Sequence, residues 1–245
     1  MVHDTRWWLV SAAERQEVMT CMDSLESFQC RPARSLSDLR PVSNLSHDSF
    51  KRLDPGPSRW LNDECIDAYL SMMTQGISYE CCLIQLIIQR GYEDVGMDRW
   101  QNKTVELFSR SVILLPINVD NAHWVAAAIY PQLKTVVYYD PLLVGVVKHP
   151  PSVIINVYDF LDAETSARGS GQLHLADWKT VVLAEAPHQV NGSDCGVYVL
   201  LGLVEMSRGF PWQGGADWKW GRPGDSSDLR LCIAHELLMG SLIAR

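Results

Sequence analysis

Apolar and polar positions along the 245-residue chain divide it into segments of two periods. Between Glu64 and Met73 the apolar residues stand at 66, 69, 70 and 73, the spacing of one helix face. The segment Trp60-Leu-Asn-Asp63 leads into this helix behind a turn cluster, Asp54-Pro-Gly-Pro-Ser58. Similar patterns predict helices from Ser78 to Gln89 and from Asp98 to Ser109, and a short one from Trp7 to Met22. Strands are predicted at Ser111–Val119, His123–Tyr130, Thr135–Asp140 and Thr180–Ala184. A helix from Ser152 to Ala163 lies between the last two, followed by a loop over 164–177. Val197, Leu200, Leu201 and Val204 return to helical spacing, with Gly209 where a C-terminal cap is expected. A Gly/Trp/Asp-rich connection, 212–225, then leads to a closing helix from Ser227 to Leu242. Helices early and late around a small sheet give an α+β order.

Composition narrows the class. With 47% hydrophobic and 20% charged residues the chain can bury one substantial core, assigned to 46–245. Residues 1–45 end in a Ser/Pro/Arg-rich stretch and read as an N-terminal extension of uncertain order. A net charge of −8 offers no basic footprint for nucleic acid. Seven cysteines, an odd number without a CxxC pair, support neither a disulfide framework nor a zinc ribbon, and fit a reducing compartment. The longest nearly uncharged apolar run, Cys81 to Ile88, is far short of a membrane span, and a signal-peptide core is lacking. The expectation is an intracellular protein of nucleus or cytoplasm that needs no membrane. His235-Glu236 does not form HExxH, and Walker and GxGxxG patterns are missing, so no metal or cofactor is expected.

The candidate chemistry centres on His188-Gln-Val-Asn-Gly-Ser-Asp-Cys-Gly-Val-Tyr-Val-Leu200. This run sets Cys195 in the first turn of an apolar helix, where unpaired N–H groups and the macrodipole favour a thiolate. Read alone, such a cysteine is most often a small buried hydrophobe. Cys65, Cys81, Cys82 and Cys232, inside apolar patterns, are read that way. A nucleophilic cysteine needs a histidine base oriented by a carboxylate or amide. His123 opens one predicted strand and Asp140 closes the next. A two-residue turn at Pro131-Gln132 would set these two side chains directly opposite, about 5 Å apart at Cβ. Proline suits a primed turn poorly; a four-residue loop shifts the pairing by two and leaves both on one face as diagonal neighbours. A three-residue loop would break the parity unless a bulge restored it. Gln189 and the Cys195 N–H are candidate donors to an oxyanion.

Four separated segments, in this order, resemble the Ulp/SENP family of cysteine proteases. They are Trp60-Leu-Asn-Asp63, Leu115-Pro-Ile-Asn118 with His123-Trp124, Tyr138-Tyr-Asp140, and Gln189-x-Asn-Gly-x-Asp-Cys-Gly196. The resemblance spans about 48–243 and implies a papain-like α+β fold with a small mixed sheet flanked by helices. It implies a triad of His123, Asp140 and Cys195, with Gln189 in the oxyanion hole. It further implies that Trp60 and Trp124 clamp the extended Gly-Gly tail of a ubiquitin-like modifier, and that Asp63 pairs with a basic side chain near that tail. SUMO is the favoured partner by this resemblance, with the neddylation modifier or ubiquitin as alternatives. A silent module that binds such modifiers is the rival from another class. Read without the resemblance, the two tryptophans are core aromatics and Asp63 a helix cap. His188, Ser193 and the loop around Ser166 to Gly171 depart from the family pattern.

Overall fold

A computed structural model describes residues 11–23, 45–56, 59–73, 107–143, 152–167, 174–207 and 226–242. The helices are α1 (Ala12–Asp23), α2 (His47–Phe50), α3 (Asp63–Met73), α4 (Ser152–Ala167), α5 (Cys195–Ser207) and α6 (Ser226–Met239). The strands are β1 (Ile113–Val119), β2 (His123–Tyr130), β3 (Thr135–Tyr139) and β4 (Lys179–Val182). They form one sheet in the order β1-β2-β3-β4. The first two pairings are antiparallel and the third is parallel, as a strand reached by the crossover through α4 requires. β1 carries Pro116 and stands at an edge, where a missing N–H leaves no gap between strands.

Both faces of the sheet are covered. Along β2 the side chains alternate between two cores. Ala126, Ala128 and Tyr130 join Val137 and Tyr139 against α5, while Val125, Ala127 and Ile129 join Val136 and Tyr138 against α4. Small residues on β2 let α5 lie close to it. α5 is apolar around nearly its whole circumference, and α3 and α6 pack on its other sides. The Tyr130 hydroxyl donates to the Met206 carbonyl at 2.7 Å, pinning the end of α5 beside the end of β2. The helix thus runs alongside the strand in the same direction, and its first residue arrives where β2 begins.

The strands fall where the sequence pattern put them, within two residues. The loop expected over 164–177 is corrected at its start: residues through Ala167 continue α4, where Thr165 Oγ1 donates back to the Leu161 carbonyl at 2.7 Å. Glu164 and Thr165 are both buried there, so this turn is seated in the packing and its polar side chains do not stop the helix. Leu107–Ser109, all that is described of the predicted 98–109 helix, is a single 3₁₀ turn. The predicted helix over 78–89, the connection over 212–225, Cys81 and Cys82 lie outside the described residues. Among the described residues no helix is long and apolar enough to cross a membrane.

α1 belongs to the segment expected to precede the domain, yet it packs on α6 with Val18 and Met22 in the main core. Ser11 and Glu14 form a capping box at its start: Glu14 N–H to Ser11 Oγ at 3.2 Å, and Ser11 N–H to Glu14 Oε2 at 2.6 Å. Arg15 reaches Asp228 on α6 at 2.6 Å. Met22→Ala is therefore expected to lower unfolding free energy by about 2–5 kcal/mol, measured in urea. An unchanged midpoint would show that α1 adds nothing to this core.

Candidate active site

Two turns deliver His123 and Asp140 to one end of the sheet. Asp120 and Asn121 adopt φ of 54° and 55°, a left-handed conformation that these residue types tolerate, and the turn pairs Val119 with His123. The β2–β3 connection is the four-residue loop, a 3₁₀ turn over Pro131–Leu133 followed by Lys134 at φ 46°. Tyr130 therefore pairs with Thr135 and Ala126 with Tyr139. His123 and Asp140 stand as diagonal neighbours on one face, not directly opposite. Their side chains meet, with His123 Nε2 2.7 Å from Asp140 Oδ1. The same oxygen accepts the Leu142 N–H at 2.9 Å, which fixes the carboxylate.

The third group comes from α5, which begins at Cys195. Asp194 caps it, its carbonyl taking the Tyr198 N–H at 3.0 Å. Asn191 shapes the preceding turn: its Oδ1 accepts the N–H groups of Ser193 at 2.9 Å and Asp194 at 3.0 Å. Gly196 then allows a close approach. A Cβ there would stand 2.9 Å from Leu61 Cβ, so only glycine lets the helix start rest on the Trp60–Asn62 segment undisturbed.

Cys195 is only 3% exposed, and burial works to raise its pKa. A hydrogen bond with His123, the backbone N–H of Trp124, the His123 charge and the Gly196 N–H outweigh burial and hold the thiol below its ordinary value. Hydrogen bonds to Asp140 and Cys195 push His123 up to about 9, against the effect of burial. Cys65 is the internal control. It too sits in the first turn of a helix and is 1% exposed, but burial dominates there and pushes its thiol up to about 12. Its sulfur donates to the Ser49 carbonyl at 2.9 Å. Exposure does not separate the two cysteines; the imidazole does.

Gln189 is buried, with its Nε2 on the Asn191 carbonyl at 2.6 Å and its Oε1 without a hydrogen-bond partner among the described residues. Its backbone N–H reaches the Pro141 carbonyl at 3.0 Å, and the Tyr139 hydroxyl reaches the Pro187 carbonyl at 2.6 Å. Those two bonds hold the Gln189 loop to the strand end that carries Asp140. Trp60 is 47% exposed and its indole N–H donates to the Gly192 carbonyl at 2.8 Å. Trp124 is 4% exposed, packs in the core and donates to the Leu61 carbonyl at 2.9 Å. Asp63 is exposed at the start of α3; the cap is Asn62, whose Oδ1 accepts the Cys65 N–H at 3.2 Å. Sequence reasoning placed Asp194 in the Gln189–Gly196 segment but missed its pairing with Arg230, an ion pair at 2.5 Å behind the Cys195 turn. The available signal was an arginine in the apolar run Leu229 to Ala234.

With this geometry in place, comparison with known proteins decides the family. Residues 87–217, more than half of the chain, match the Ulp1 protease family, C-terminal catalytic domain. The chain belongs to that family. It is 28% identical over 198 residues to ubiquitin-like-specific protease 1 of Saccharomyces cerevisiae, covering 79% of this chain and 29% of that protein. It is 29% identical over 161 residues to sentrin-specific protease 5 of Homo sapiens, covering 64% of this chain and 20% of that protein. The chain spans less than half the length of these curated relatives. The solved C-terminal Ulp1 protease domain in complex with Smt3, the yeast ortholog of SUMO, superposes with a TM-score of 0.67 at 23% identity, over 95% of this chain and 96% of that one. The Ulp1 α+β fold is shared across nearly the whole chain, including α3 and α6, which lie outside the family match.

The electrostatics predict a specific pH profile. With His123 raised to about 9 from 6.5, the pair's contribution to folding stability is fully present below about 6.5 and is lost as pH rises through about 9, where the imidazolium facing the thiolate loses its charge. Iodoacetamide should alkylate Cys195 at pH values below the ordinary thiol range. In His123→Ala burial is left unopposed by the imidazole, and the profile should move up by about one pH unit or more. An unmoved profile would contradict the pairing.

Proposed function

We propose that this chain hydrolyses the bond after the C-terminal Gly-Gly of a ubiquitin-like modifier, with SUMO as the substrate. The observation that carries the reading is the cluster of a buried Cys195 at a helix start with the partly exposed His123 and Asp140, beside an exposed tryptophan anchored to the Cys195 loop. The Cys195 thiolate attacks the carbonyl carbon of the terminal glycine, forming the C–S bond. Negative charge moves to the carbonyl oxygen, where the Cys195 N–H and the Nε2 proton of Gln189 not engaged by Asn191 stabilise it. The C–N bond then breaks as the His123 imidazolium gives its proton to the leaving amine. Asp140 keeps the ring in register throughout. Water, deprotonated by His123, attacks the thioester, and the thiolate leaves to restore the resting pair.

Selectivity for glycine comes from the walls. Trp60, 47% exposed, and Trp124, 4% exposed, are the residues we assign to the walls of the tail's path. A Cβ at either of the last two tail positions would collide with such walls, whereas a diglycine can pass extended between them. Asp63, exposed at the start of α3, is the candidate partner for a basic side chain of the modifier. The relatives named ubiquitin-like-specific and sentrin-specific proteases, and the solved Ulp1 complex with Smt3, support SUMO over other modifiers.

C-terminal fluorogenic amides of SUMO, the neddylation modifier and ubiquitin test this directly. SUMO should turn over fastest, and a SUMO tail ending Gly-Ala should lose about 100-fold or more in kcat/KM. Cys195→Ala should be inactive on all three. Equal turnover by wild type and Cys195→Ala would sink the mechanism, and faster cleavage of another modifier would reassign the substrate.

A further inference from the structure

Arg230 sits in the second turn of α6 and takes no part in the hydrolytic steps. Its guanidinium is 3% exposed and directs its donors at three separate segments. Nε and Nη2 donate to Asp194 Oδ1 at 2.9 and 2.5 Å. Nη1 donates to the Arg52 carbonyl at 2.6 Å, and Nη2 to the carbonyls of Arg59 at 2.7 Å and Ser193 at 3.3 Å. A buried cation is costly to place unless every donor is matched, so this fork works at one geometry only.

The joined segments matter because each abuts a residue of the site. Ser193 and Asp194 immediately precede Cys195, and Arg59 immediately precedes Trp60. Arg52, the third partner, itself donates to the Trp60 carbonyl at 3.0 Å. One side chain therefore ties the residue before the thiol to the residue before the exposed tryptophan. Asp194 also brings a carboxylate close to a thiol that must ionise. Burial alone would raise that carboxylate, but hydrogen bonds from Asn191, Ser226 and Arg230 hold it below its ordinary range, so it is charged, and Arg230 supplies the opposite charge.

The geometry points to Arg230 as a positioning residue: it sets the start of α5, and with it Cys195, against both the Trp60 segment and His123. This rests on the reading of Cys195 as the nucleophile. A guanidinium that only filled space between α6 and the loop would affect stability and nothing else.

Two variants separate these roles. Arg230→Lys keeps the charge, but a single ammonium cannot serve Asp194 and both carbonyls together. Arg230→Gln combined with Asp194→Asn removes both charges and leaves a neutral pair, which keeps the test alive if the lysine variant does not fold. Each is checked by circular dichroism and assayed well below its Tm for alkylation of Cys195 by iodoacetamide against pH, and for kcat on the SUMO amide. Either folded variant should show the alkylation profile displaced upward by about one pH unit and kcat lowered about tenfold or more. Wild-type alkylation and kcat in a folded variant, with only Tm lowered, overturn the inference. Wild type that is itself not alkylated rapidly at Cys195 removes the nucleophile reading and this inference with it.

Discussion

The contact between Cys195 and His123 is the interaction on which the whole site depends. Burial alone would leave Cys195 as inert as Cys65, whose thiol is pushed up to about 12 at a similar position in its helix. An imidazole held by Asp140 reverses that, and each partner stabilises the other's charge. The pair exists only because two elements end at the same place. α5 must be buried because it is apolar nearly all round, and the alanines of β2 let it lie along that strand. Running with the strand, it presents its N-terminus, with its unpaired N–H groups, to the first residue of β2.

The packed cores and the candidate site are thereby separated in space. The two cores on either side of the sheet are built from alternating β2 and β3 residues and are closed by α4 on one face and α5 on the other. The site lies at the sheet's end, where strands stop and turns begin. Turns can hold φ values that strands cannot, and Asp120, Asn121 and Lys134 do so in the two loops that set the register of His123 and Asp140. Polar side chains then finish what the backbone starts: Asn191 shapes the loop before the thiol, and Asp140 is pinned by the Leu142 N–H.

Much of this was legible in the sequence, because period and turn chemistry are local. Strand limits and the amphipathic α3 come from spacing, and proline at 131 favoured the four-residue loop that the structure contains. What was not legible depends on distant partners. The end of α4 is set by its seat on the sheet, and the docking of α1 by Val18 and Met22 meeting a helix at the far end of the chain. Trp60 and Trp124 look alike in sequence, yet one is half exposed and the other buried, because only Trp124 lies on a strand facing the core. Arg230 bonds to residues from 52 to 194, and no window on the chain contains that set. The family match fixes the fold around these details at identities too low to supply them.

The most direct test of the central claim is the protonation state of His123 in the resting protein, read from ring ¹⁵N shifts against pH. The imidazole should be doubly protonated at neutral pH and titrate near 9, returning toward its ordinary value in Cys195→Ala. A neutral ring at pH 7 that titrates alike in both proteins would contradict the account.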